Sequence, residues 1–158
     1  MRDMRTVRTL FKLAVVLDHF QRQDNYEEMH ERLTGNIRRW GEQLDRNAEA
    51  IDRAESNLAK NESRVRKTVE YLDRLDSPAT REWLERTERN AREHRNPEAR
   101  LAASQKIQDH YAKVADARVT LERTQGWIKE GRSKLKNLES RKDELDSKIS
   151  NASAKLRG

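Results

Sequence analysis

The sequence predicts an all-α protein: a long antiparallel helical hairpin of coiled-coil type, with a short tip helix and an N-terminal packing helix. The first observation is composition, since 34% of the 158 residues are hydrophobic and 39% are charged. Ordinary globular domains have roughly 45–50% and about 25%. Long helices that each bury one narrow stripe suit this composition. The other two observations are a heptad pattern and the prolines that interrupt it.

Two series of apolar residues recur every seven positions. The first runs without a break through Ile37, Leu44, Ile51, Leu58, Val65 and Leu72. The second consists of Ile107, Val114, Leu121, Ile128, Leu135, Ile149 and Leu156, and only Lys142 interrupts it. An apolar residue at the same position of every heptad forms a continuous seam along a helix, so each series predicts a long helix. Neither helix can bury its seam alone, and we expect the two to fold back on each other.

The second position of each heptad is weak, because small or polar residues occupy it. These residues are Asn47, Ala54, Asn61 and Thr68 in the first series, and His110, Ala117, Thr124 and Gly131 in the second. Small side chains bury little apolar area, and Asn at such a position fixes register at a cost in stability. The pattern therefore predicts a modestly stable hairpin that benefits from a partner or from self-association.

Capping residues and prolines set the expected helix boundaries. Ser77 precedes Pro78 and Asn96 precedes Pro97, which is the arrangement of an N-cap followed by the first helical residue. Asp24 has a glutamate three residues later and resembles a capping box, so a third boundary is expected there.

These boundaries predict one elongated domain over residues 1–158. Two long helices joined through a short one are expected to pair antiparallel, with Leu58 beside Val114. The four predicted helices cover about residues 2–21, 25–75, 78–95 and 97–156.

The first predicted helix carries a wide apolar stripe. It consists of Met4, Val7, Leu10, Phe11, Ala14, Leu17 and Phe20. We expect this stripe to pack against the base of the hairpin, near Leu145, Ile149 and Leu156. The alternatives are a dimer interface and a helix on a membrane surface, where Arg2, Arg5, Arg8 and Lys12 would face anionic lipid.

Several classes of site have no support in the sequence. There is no cysteine, so disulfides and thiolate metal sites are excluded. Glu27 and His30 form a single Glu-x-x-His pair, whereas a di-iron bundle needs two. No glycine-rich phosphate loop occurs, and no apolar run approaches the roughly 20 residues that span a bilayer. We therefore expect a soluble, cytoplasmic protein with no catalytic residues, metal, cofactor or membrane span.

Exposed aromatic and basic residues are the remaining candidates. For protein interaction we select Trp40, Trp83 and Trp127 together with Leu10, Phe11 and Leu17. For polyanion binding we select Arg89, Arg92 and Arg95 near the predicted tip, and Lys134, Lys136 and Arg141 near the predicted base. Arginine and lysine beside aromatic rings suit contacts to phosphates and bases, although glutamates nearly cancel the charge at the tip.

The sequence therefore predicts a non-enzymatic interaction protein, a coiled-coil adaptor or scaffold that binds other proteins or itself. A helical module that binds nucleic acid is the alternative. No motif identifies a family. The resemblance to other helical hairpins, such as the stalk proteins of type III export, is one of outline alone.

Overall fold

The computed structural model describes the backbone of residues 2–158 and the side chains from Arg8 onward. It is all-α and 96% helical, with no strand among the described residues, which confirms the predicted all-α class. Three helices follow one another, and their bounds are Arg2–Leu75 for α1, Pro78–Glu93 for α2 and Pro97–Arg157 for α3.

Helix α1 is continuous where a break was expected. The predicted helices at 2–21 and 25–75 are a single helix, so the predicted boundary at Asp24 is wrong. Relative to Ala, an Asp inside a helix costs at most about 0.7 kcal/mol of helix stability and a Gly about 1 kcal/mol. Ending one helix and nucleating another costs more than either residue does. A cap-like sequence without a proline is therefore not enough to stop α1.

The junction between α1 and α2 has the predicted cap. The hydroxyl Oγ of Ser77 accepts a hydrogen bond from the Thr80 backbone N–H at 3.2 Å, and Pro78 occupies the first helical position. The Thr80 hydroxyl donates to the Arg74 carbonyl at 2.9 Å, which joins α2 to the last turn of α1. Asp76 receives two hydrogen bonds from the guanidinium of Arg81, at 3.2 and 2.9 Å. This turn is therefore fixed by side chains on both of its sides.

A second short connection leads from α2 into α3. Helix α2 ends at Glu93, two residues before its predicted end, and α3 begins at Pro97 as predicted. The Asn96 carboxamide oxygen accepts from the Glu98 backbone N–H at 3.0 Å, and Arg100 donates to the His94 carbonyl at 2.9 Å. Both side chains satisfy backbone groups that a helix end leaves without partners.

The chain forms two compact units, one made of residues 1–50 with 138–158 and the other of residues 51–137. In both units the described residues of α1 and α3 that are buried belong to the second heptad position, and all of them except Leu145 are small or polar. Four of them on α3 stand seven residues apart and are at most 9% exposed: Ala103, His110, Ala117 and Thr124. The larger apolar residues of the first position are half-buried beside them. The second heptad position, whose mostly small side chains bury little apolar area, is therefore the least exposed position of the heptad.

In the unit of residues 51–137, α1 contacts α3 in a different register from the predicted one. A Cβ added to Gly131 would lie 3.8 Å from Leu58 Cδ1, whereas Leu58 was expected beside Val114. Arg132 pairs with Glu62 at 3.5 Å in the same region. The cause is α2, because it packs along the first part of α3. The Trp83 ring lies 5.8 Å from the His110 ring, so α1 meets α3 only further along.

In the unit of residues 1–50 and 138–158, a buried asparagine joins the two helices. The Asn47 side chain donates a hydrogen bond to the Leu138 carbonyl at 2.9 Å. Arg141 donates to the Gln43 side chain at 3.1 Å. A polar bond that forms only at one alignment favours that alignment, as an asparagine in a coiled-coil seam does.

The predicted packing of the first helix against the base is wrong. Every described side chain from residue 8 to residue 32 is exposed. Leu10, Phe11 and Leu17 are 61%, 70% and 66% exposed. An uninterrupted helix has no turn that would fold these residues back onto Leu145. Met4 and Val7 lie outside the residues whose side chains are described.

Replacing Gly131 by Ala should stabilise the protein. A glycine inside a helix costs roughly 0.5–1 kcal/mol relative to alanine, and the new methyl group would make ordinary contact with Leu58. Urea unfolding should show a gain of about 1 kcal/mol or slightly more.

Gly126→Ala is the matched control, because a Cβ there meets nothing within 4 Å. Its free energy of unfolding should rise only by the difference in helix propensity between glycine and alanine. If Gly131→Ala is less stable than Gly126→Ala, the described approach of Leu58 to α3 is incorrect.

The Asp76–Arg81 pair should make the α1–α2 junction sensitive to acid. The hydrogen bonds and the charge of Arg81, with a smaller contribution from Arg118, hold the pKa of the Asp76 carboxyl below its usual value. An aspartate whose pKa is lower in the folded than in the unfolded protein stabilises the fold at pH values above its ordinary pKa of about 4. This contribution to stability is lost as the pH falls through the folded-state pKa. A carboxyl titration by NMR should therefore show an Asp76 midpoint below that of an unpaired aspartate.

Arg81→Gln should return the Asp76 midpoint toward the ordinary value, because it removes both the bond and the charge. An identical midpoint in wild type and variant would contradict the pairing. Since both side chains are well exposed, the global stability should change little.

Candidate interaction surfaces

One face of α1 is apolar and exposed, and we call it the apolar face. At 100° per residue its members lie within an arc of about 120° on the helix. They are Leu10, Leu13, Ala14, Leu17 and Phe20. Phe11 extends this arc on one side and Val16 on the other, and both are exposed. Three of the residues selected from the sequence, Leu10, Phe11 and Leu17, are thus brought together on one surface.

The opposite side of this segment is mainly polar and basic, although the exposed Val15 also lies on it. Arg8, Lys12 and His19 lie there, all of them exposed. Asp18 is the single acidic residue from 8 to 22, and its carboxylate pairs with Arg22 at 3.2 Å. The segment therefore combines an apolar half with a half that has a net positive charge.

The apolar face is not a continuation of the seam between α1 and α3. Stepping back by sevens from Ile37 leads to His30, Gln23 and Val16, and from Trp40 to Leu33, Tyr26 and His19. Val16 is the one residue of the widened face at a seam position. Most of these side chains are polar or only partly apolar, whereas the apolar face occupies other heptad positions. The face is thus arranged for a surface other than that of α3.

A second surface is a groove in the unit of residues 51–137, which we call the Tyr71 groove. Its volume is about 410 Å³. The lining residues are Arg64, Lys67, Thr68 and Tyr71 from α1, and Lys113, Asp116, Ala117 and Thr120 from α3. The groove therefore has three cations, one carboxylate and one exposed aromatic ring along its wall.

Cations stack on aromatic rings at the margins of this groove. Arg74 lies 5.8 Å from the centre of the Tyr71 ring, and Arg64 lies 5.8 Å from the centre of the Trp127 ring. Sequence reasoning missed the groove, because its residues come from two segments that are far apart in the chain and neither is strongly basic alone. Only the register of α1 against α3 brings them together.

The three tryptophans differ in their surroundings. Trp127 is 42% exposed and remains a candidate for partner contact. Trp40 is half-buried, with the Lys148 ammonium 6.0 Å from the centre of its ring. Trp83 is half-buried against His110 and contributes to the packing of α2. Exposure was expected for all three, and only Trp127 shows it.

The basic residues selected from the sequence are exposed, and one of them has partners. Arg141 hydrogen-bonds Gln43 and pairs with Glu144 at 3.0 Å. The hydrogen bonds from Arg141 and Lys148 hold the pKa of Glu144 below its ordinary value. Much of the charge of Arg141 is thus balanced within the protein. The other five are exposed and form no ion pair among those described: Arg89, Arg92, Arg95, Lys134 and Lys136.

A further cleft of about 430 Å³ lies at the junction of α1 and α2. The Asp76–Arg81 pair, His110 and Tyr111 contribute to its wall. In the part of the chain with described side chains, no group of three or more His, Asp or Glu residues is placed to hold a metal ion. None of the described helices is long and apolar enough to cross a membrane.

In comparisons with known proteins, no family model, no curated protein and no solved structure matches this chain.

Proposed function

We propose that this chain is a non-enzymatic interaction protein, a coiled-coil adaptor or scaffold that binds other proteins through its ends and its exposed aromatic side chains. The observation that carries this proposal is the amount of apolar surface left uncovered. Large apolar side chains are exposed in both units, among them Tyr26 in one and Tyr111 and Trp127 in the other. Exposed apolar surface of this extent is typical of sites that bind a partner.

The proposal includes an antiparallel hairpin of α1 and α3. In the unit of residues 51–137, Leu58 approaches Gly131 and Arg64 approaches Trp127, so contacts move backward along α3 as α1 advances. The other unit has the same order, since Asn47 bonds Leu138 and Trp40 contacts Lys148. Heptad spacing of the least exposed residues supports pairing of coiled-coil type.

The chemistry of the seam supports a partner. Ala117 and Thr124 allow the helices to approach closely, but each buries little apolar area at roughly 25 cal/mol per Å². The Thr124 hydroxyl bonds the Thr120 carbonyl of its own helix at 2.7 Å, so it adds no bond between helices. A helix pair held in this way gains much from covering its exposed apolar side chains with another protein.

The test is recovery of a partner from a nuclease-treated lysate of the native host, with the tagged full chain. A stoichiometric protein should be retained. The double variant Tyr111→Ser, Trp127→Ala should lower its recovery by about tenfold or more, because it removes two exposed aromatic anchors.

Glu122→Ala, on an exposed polar side chain of the same helix, is the control and should retain the partner. Light scattering of the purified chain measures self-association in parallel. A stable monomer with no retained protein would contradict the proposal.

Polyanion binding is a second candidate function, and the Tyr71 groove favours it. Arg64, Lys67 and Lys113 would contact phosphates, while Tyr71 would stack on a base. Asp116 is the one carboxylate in the lining. This proposal assigns nucleic-acid binding to the groove and not to the basic residues selected from the sequence.

Charge reversal distinguishes the two locations. Lys67→Glu with Lys113→Glu should weaken binding of a labelled single strand about tenfold or more at low salt, and lower the salt dependence by the loss of about two phosphate contacts. Fluorescence anisotropy measures both. Lys134→Glu with Lys136→Glu is the matched pair, and it should have a smaller effect. The absence of binding to single strands and duplexes at low salt would exclude this function.

A further inference from the structure

We propose that the apolar face of α1 binds the surface of an anionic lipid membrane, with the helix lying in the plane of the interface. This inference goes beyond the proposed function, because it gives the segment around residues 8–22 a lipid partner and does not depend on a protein bound elsewhere. The observation behind it is that this helix has an exposed apolar side and, opposite it, a basic side.

The apolar half has the shape that an interface requires. Leu10, Leu13, Leu17 and Phe20 share one arc, and all are about half exposed or more. Phe11 and Val16 widen the arc to about 220°, or three fifths of the helix circumference. A helix of this kind buries its apolar side by about 5–10 Å at the boundary between headgroups and acyl chains. No described side chain of this chain covers that half.

The polar half has the complementary charge. Arg8 and Lys12 lie on it one turn apart, so both can contact lipid phosphates while the apolar face is inserted. Asp18 lies inside the widened arc, between Ala14 and Phe11, and would be repelled by an anionic surface, but its pairing with Arg22 at 3.2 Å offsets that charge. Each basic residue near an anionic surface raises the affinity about fivefold.

A second copy of the chain fits this segment less well. The apolar stripe of the sequence runs from Met4 to Phe20, which is fewer than three heptads, whereas a coiled coil needs at least about three. A second copy docked through the apolar face would leave Arg8 and Lys12 on the outside of the pair, away from the contact. A lipid surface needs no long seam, and its anionic headgroups supply partners for these two side chains.

The experiment measures binding of the full chain to vesicles by flotation. Vesicles of phosphatidylcholine with phosphatidylglycerol are compared with vesicles of phosphatidylcholine alone, at low and at high salt. The chain should float with the anionic vesicles, and salt should weaken this binding because it screens the basic side. Binding of the chain to the neutral vesicles should be weaker by about tenfold or more.

Two pairs of substitutions separate the contributions. Leu13→Glu with Leu17→Glu should reduce binding by roughly 100-fold, since two buried leucines are each worth about tenfold. Arg8→Glu with Lys12→Glu should reduce binding to anionic vesicles about tenfold or more. Binding of this double variant to neutral vesicles should equal that of the wild type. All four side chains are exposed, so circular dichroism should show the helical content of the wild type.

Leu101→Glu is the control, because Leu101 is also exposed and apolar, at 73%, but lies on α3. It should bind vesicles like the wild type. Failure to bind anionic vesicles at low salt, or binding that survives Leu13→Glu with Leu17→Glu, overturns the proposal. A dimer in light scattering that this double variant dissociates, without vesicle binding, assigns the face to a second copy. A protein partner lost with the same variant, again without vesicle binding, assigns it to protein.

Discussion

The arrangement of this protein depends on how closely α1 and α3 approach each other. In the unit of residues 1–50 and 138–158, Leu145 is the one large apolar side chain among those described that is fully buried. In the unit of residues 51–137, the positions that lie deepest between the two helices hold small or hydroxyl-bearing residues, with Ala117 and Thr124 on α3 and Ala54 on α1. Such residues allow the helix backbones to come near, and the larger leucines and isoleucines then cover the sides of the contact. Small side chains let α1 and α3 come close together, but they bury less apolar area than larger side chains would. Much of the apolar content consequently remains at the surface.

Polar bonds supply the alignment that a narrow apolar contact leaves weakly defined. Asn47 reaches the Leu138 carbonyl, and Arg132 reaches Glu62. Neither contributes much stability, because an exposed ion pair is worth roughly 0–1 kcal/mol and a neutral hydrogen bond about 1 kcal/mol. Their effect is to favour one register among several that would bury similar area. The Tyr71 groove exists only in that register, since its two walls come from different helices.

The continuity of α1 determines which surfaces are available to partners. A helix that ended near Asp24 would let the preceding segment fold back, and its apolar stripe would be covered from within. The uninterrupted helix instead leaves every described side chain from 8 to 32 exposed. The apolar face and the seam also occupy different heptad positions. The two therefore serve different contacts: the seam holds α1 and α3 together, and the apolar face is open to another surface.

The sequence by itself determined the helical class, the start of α2 at Pro78 and of α3 at Pro97, and the heptad positions that face inward, because these depend on local chemistry and on periodicity. It also selected Leu10, Phe11 and Leu17 as members of one stripe. Only the tertiary structure decided the register of α1 against α3, since this depends on where α2 packs, and α2 lies along α3 through Trp83 and His110. Tertiary structure likewise decided that the stripe is exposed and that Lys67 and Lys113 share a groove. Residues far apart in a chain acquire common surroundings only when one alignment of the helices is stabilised over the others.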